Sequence, residues 1–144
     1  MNRNAIRVVA ISIVLALVGC DAYKASSKAG QVVATTVTNG FQTILTMQKD
    51  GQISTSEALN LAGYLEFANL QDENFLTCSK IAHTNGNVSG SYTACATTFL
   101  TNMSQPSELS LIHVSNAASQ AKVQTIVSAI SSAISIYQSS IGGA

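Results

Sequence analysis

The chain has 144 residues, the size of one domain, and only 10% of them are charged, with seven Lys and Arg against seven Asp and Glu. Both arginines, Arg3 and Arg7, lie at the start; beyond residue 19 five lysines face seven acids, with no arginine and no tryptophan. No clustered basic face can be assembled to neutralise phosphates, which excludes nucleic acid as a partner. A tight protein interface would have to use Tyr, Phe and aliphatic groups instead.

Arg3 and Arg7 precede an apolar run from Val8 to Val18 that only Ser12 interrupts. A basic head, a short apolar centre and a small-residue exit make a secretory signal, because a membrane span needs about 20 apolar residues. The run ends in Leu17, Val18, Gly19 and Cys20. These four residues resemble the lipobox of bacterial lipoproteins at every position. The resemblance implies a signal peptide over 1–19 that is cut before Cys20, a diacylglyceryl group on the Cys20 sulfur, and fatty acyl chains such as palmitate at the new terminus. At about 0.8 kcal/mol per buried methylene, two or three such chains hold a protein on a bilayer. The implied location is the bacterial cell envelope, lipid-anchored and facing the periplasm. Asp21, which follows directly, resembles the signal that retains enteric lipoproteins on the inner membrane. An ordinary signal peptide with a chance cysteine is the plainer alternative.

Residues 20–29 are small and polar and are expected to form a lipidated tether, leaving 30–144 as the folded domain. A first helix is predicted from about Ala29 to Lys49, with Val33, Val37, Phe41, Ile44 and Leu45 at three- and four-residue steps. The β-branched run from Val32 to Thr38 also suits a strand, and Gly40 weakens a helix. Asp50 and Gly51 end the element. Ser54 followed three residues later by Glu57 is a capping box, the best start signal in the chain. Ala58, Leu61, Leu65, Ala68, Phe75 and Leu76 then continue a helix to His83, with Gly86 suited to the stop. A third helix is expected from about Ser91 to Asn102. Pro106, the single proline, marks another start, and 107–140 is expected to be helical. Its second half carries an apolar stripe of Val123, Ile126, Val127, Ile130, Ala133, Ile134, Tyr137 and Ile141, opposite a serine-rich face. The fold class is therefore all-α: a small four-helix, bundle-like domain after a cleaved signal peptide.

Three cysteines leave an odd thiol in an oxidising compartment, which lipidation of Cys20 resolves. Cys78 and Cys95 then remain, symmetrically placed about the turn-rich stretch 85–90, where a helical hairpin would bring their sulfurs level. A disulfide is predicted there, stabilising by about 3 kcal/mol in the chain-entropy model. The competing arrangements are free buried thiols, or a metal site with His83 that lacks the usual CxxC or HxxxH spacing.

Other constellations are weaker. Thr46 to Glu57 resembles the second half of an EF-hand loop, with Asp50, Ser54 and Glu57 at ligand places, but places one and three, normally Asp or Asn, are Thr46 and Gln48, which removes two carboxylates from a hard-cation site. No nucleophile elbow, phosphate-binding glycine loop or paired-histidine motif is present, so no catalytic residue and no cofactor is predicted. His83 reads as a helix C-terminal residue, His113 as half-buried beside Leu109 and Ile112, and the adjacent Asp72 and Glu73 as solvated. Ala129 with Ala133, and Ser128 with Ser132, are small residues four apart that would let another helix approach. The expected function is a membrane-anchored, non-catalytic binding or structural module of the envelope. The alternatives are a small inhibitor or exclusion lipoprotein, phage-encoded or chromosomal, that binds an envelope protein, or a calcium-responsive module; the expected partners are the bilayer through acylated Cys20 and, through the last helix, an envelope protein or a second copy.

Overall fold

The computed structural model describes residues 21–86 and 88–142; the signal peptide over 1–19 and Cys20 lie outside them. Five helices and no strand occur among the described residues: α1 Ala22–Lys49, α2 Thr55–Thr84, α3 Ser89–Met103, α4 Pro106–Ser110 and α5 Ala117–Gly142. The all-α bundle expected from the periodicity is the observed architecture.

The first correction concerns the tether. Residues 22–29 are not a linker but the first two turns of α1. Asp21 caps them, its Oδ1 accepting from Tyr23 N at 3.0 Å. Ala25, Ser26 and Ala29 are all at most 1% exposed, so the small side chains that suggested a tether serve close packing. The β-branched run is helical because its threonines satisfy themselves locally. Thr35, Thr36 and Thr38 each donate Oγ1 to the carbonyl four residues back, at 2.8 to 2.9 Å.

Asp50 and Gly51 stop α1 as expected. Gly51 adopts φ +67°, while Gly51 N donates to Gln48 O and Gln52 N to Met47 O, the paired bonds of a Schellman turn. The Ser54 capping box then opens α2, with Glu57 N donating to Ser54 Oγ and Ser54 N to Glu57 Oε2 at 2.7 Å. Gly86, at φ +107°, follows the end of α2.

The long helices run up, down, up and down. α1 packs on α2 and α5, and α3 packs on the same two, so the four stand around a shared core. At about 1.5 Å per residue the bundle is roughly 40 Å tall. Its base collects the start of α1, the end of α2, the start of α3 and the end of α5. Cys78–Cys95 ties α2 to α3 there, with Cα atoms 5.8 Å apart, and Gln138 Nε2 donates to Thr97 Oγ1 at 2.8 Å to tie α5 to α3. At the top, Lys122 Nζ reaches Gln52 Oε1 at 3.1 Å.

Phe75 lies edge-on to both Phe99 and Tyr137 at the centre of the core. The α5 stripe faces inward as predicted, with Val123, Ile130, Ala133, Ile134, Tyr137 and Ile141 buried and Ile126 and Val127 packed against them. Leu45 departs from its expected core place and is 57% exposed; Met47 is buried instead.

A second correction falls after Pro106. The helix predicted through to 140 breaks into α4 and α5, separated by 111–116. Ile112 and Val114 turn inward to 6% and 3% exposure. Side chains replace the lost helical bonds: Gln120 accepts from Val114 N at 2.8 Å and donates to Ile112 O, and Asn116 Oδ1 caps Ser119 N at 3.0 Å. His113 points outward and is exposed rather than half-buried.

Candidate functional site

Three places carry chemistry beyond packing: the base next to Cys20, a groove between α1 and α2, and the α1–α2 turn at the top.

At the base, Tyr23 stacks on His83 with ring centroids 4.4 Å apart and planes 12° apart, locking the first turn of α1 against the last turn of α2. Tyr92 is completely buried below the disulfide level, and its phenol is raised above the ordinary value by burial, then by the charge of Asp21 and by Tyr23. Tyr137 is raised too, by burial and by Tyr92, with Ser79 opposing. Apart from this Ser79–Tyr137 approach, neither hydroxyl has a well-formed hydrogen-bond partner, so the base interior holds a buried polar group, Ser79, that the sequence pattern did not single out.

The groove, of about 420 Å³, is lined among others by Tyr23, Gly30, Gln31, Asp72, Leu76 and Lys80. Asp72 is the third correction: instead of being solvated beside Glu73, it is 4% exposed, and its Oδ1 has no hydrogen-bond partner. Burial, reinforced by the charge of Glu73, pushes the carboxyl up to about 7. Gly30 permits the approach, since a Cβ there would meet Leu76 Cδ2 at 2.8 Å and Asp72 Oδ1 at 3.0 Å.

At the top, the residues considered for calcium have other employment. Asp50 is the C-cap of α1. Both Glu57 oxygens are engaged: Oε2 by Ser54, and Oε1 by Ser115 N and Oγ, each at 2.7 Å. These bonds, led by the Ser54 and Ser115 amides, hold its carboxyl down at about 2. Glu57 thus fastens the 111–116 segment onto the start of α2. Among the described residues no group of three or more His, Cys, Asp and Glu converges as metal ligands would.

The last helix presents Ser128, Ser132, Ser135 and Ser139 to solvent. Of the two small-residue pairs, Ser128 with Ser132 lies on this outer face, whereas Ala133 is in the core. His83 and His113 fall at opposite ends of the bundle and do not meet. No helix among the described residues is long and apolar enough to cross a membrane. Comparison of the chain with family models, with curated proteins and with solved structures finds no match.

Proposed function

We propose that the protein is a lipid-anchored module of the bacterial cell envelope that binds or scaffolds without catalysing a reaction. The supporting sequence is Leu17-Val18-Gly19-Cys20, and the supporting structural observation is that a disulfide-tied bundle begins two residues later, at Ala22 behind the Asp21 cap. A disulfide suits an oxidising compartment such as the periplasm. The acyl chains on Cys20 would hold the bundle at the bilayer surface.

A second reading, an inhibitor or exclusion lipoprotein, draws on the uncharged serine face of α5, across which a partner helix could pack closely. Cross-linking in intact cells separates the two, because an inhibitor captures one stoichiometric target.

The anchor itself is tested by labelling with palmitate. The wild-type chain takes up label and stays with membranes, and Cys20→Ser loses both. An unlabelled wild-type chain, or a Cys20→Ser chain still on membranes, refutes the reading.

A further inference from the structure

Resting on the lipid-anchor reading above, we propose that the base of the bundle is a second membrane contact. It docks end-on against the anionic headgroups of the bilayer that holds the acyl chains of Cys20, through Lys24, Lys28 and Lys80, with Val88 and Ile81 at the interface.

No flexible linker separates Asp21 from the folded bundle. A flexible tether of eight or so residues would let an anchored domain tumble away from the surface. Here Asp21 is already the cap of α1, Ala25 is 1% exposed, and Tyr23 is stacked on His83. The lipid attachment point is therefore one residue from a packed helix, and the base is the part of the domain held against the bilayer.

Charge is distributed to match. Lys24 lies two residues into α1 and Lys80 four residues before the end of α2, each within about 6 Å of the tip at 1.5 Å per residue. Lys28 is about 9 Å up by the same measure, still within the screening length of about 8–10 Å at physiological salt. Among the described residues Asp21 is the one acid in this zone. The next, Glu73, is eleven residues back along α2, roughly 16 Å away. Asp50 and Glu57 lie at the top with Lys49 and Lys122, and Glu108 lies in α4, within reach of Tyr64 in the upper half of α2. The bundle is thus basic at the anchored end, the polarity an anionic surface selects.

Apolar groups complete the match. Val88, in the α2–α3 turn, is 58% exposed, and Ile81, one turn above the end of α2, is 55% exposed. At the tip of an anchored domain these side chains reach the acyl boundary.

Amine-reactive footprinting of the acylated mature chain tests the docking. The chain is reconstituted in phosphatidylcholine vesicles with or without phosphatidylglycerol, and compared with the same chain in neutral detergent. With phosphatidylglycerol, Lys24 and Lys80 are expected to label about fivefold more slowly than in detergent, which corresponds to about 1 kcal/mol per lysine at an anionic surface. Lys49 and Lys122 keep their detergent rates, and phosphatidylcholine alone gives weaker protection. Equal rate ratios at all five lysines of a chain that carries its acyl mass overturn the docking and leave the anchor standing. A chain that carries no acyl mass and does not bind vesicles overturns both.

Discussion

Two carboxylates divide the pH dependence of this fold between them. Glu57 is held down at about 2 against an ordinary 4.5 by the Ser54 and Ser115 bonds. Its contribution is present above 4.5 and fades as pH falls towards 2. Asp72 has the opposite sign. Its folded value of about 7 lies above the ordinary 3.8, so between those values the native state binds more protons than the unfolded chain, and stability declines as pH rises. The melting temperature should therefore peak near pH 4 to 4.5, where the two windows set by these values overlap. Asp72→Asn is predicted to raise the melting temperature at pH 8 and leave it nearly unchanged at pH 4. Glu57→Gln should flatten the acid limb. Calorimetry across pH 2.5 to 8 checks both, and a wild-type optimum at pH 8 would contradict the burial of an ionisable Asp72.

Glycines supply a second pair of opposite signs at this scale. Gly63 sits inside α2, where a Cβ would meet nothing closer than Leu111 Cδ1 at 4.0 Å. Gly63→Ala should therefore stabilise by about 0.5–1 kcal/mol, because alanine has the higher helix propensity and restricts the unfolded chain. Gly51 also has open space around it, but φ +67° is required by the turn. Gly51→Ala should cost about 1 kcal/mol. Urea unfolding of the two variants beside the wild type measures both.

Among the elements, the disulfide hairpin of α2 and α3 has the largest single prediction. Cys78 and Cys95 are 17 residues apart in sequence, and replacing both with alanine should lower stability by about 3 kcal/mol. The same loss should follow reduction of the wild type, read by denaturant unfolding with and without reductant. This hairpin was legible in the sequence because turn residues mark the midpoint between the cysteines. The Ser54–Glu57 box and the α5 stripe were legible for a similar reason: each is a local pattern with one geometric meaning.

Other elements hid behind their chemistry. Ala68, Asp72, Phe75 and Ser79 form one buried stripe on α2, with the spacing of a core face. Its two polar members, Asp72 and Ser79, disguise it, because a carboxylate beside Glu73 has the pattern of a solvated pair. The start of α1 was hidden in the reverse way, since Ala25, Ser26 and Ala29 look like a linker until a partner helix lies against them. The break at 111–116 could not be read because its stabilising contacts are distant in sequence, above all Glu57 to Ser115.

Taken together, the bundle has two unlike ends, a base next in sequence to Cys20 and a top held by the Ser54, Glu57 and Ser115 bonds. Low charge, serine and threonine that bond back to their own helices, and a single core give a bundle with little polar decoration. Three of its five lysines lie towards the base, where Asp21 is the one acid among the described residues. Lys24, Lys28 and Lys80 lie near the residue that follows Cys20, and Asp50, Glu57 and Glu108 lie far from it. An orientation at a membrane follows only if Cys20 carries lipid, so the covalent state of that residue governs everything proposed about function. Intact mass of the protein extracted from membranes, with and without reductant and an alkylating reagent, tests it most directly. The expected result is a chain that begins at Cys20, carries added diacylglyceryl mass, and accepts two alkyl groups only after reduction. A chain that retains residues 1–19, or one whose Cys20 is alkylated without reduction, would contradict it.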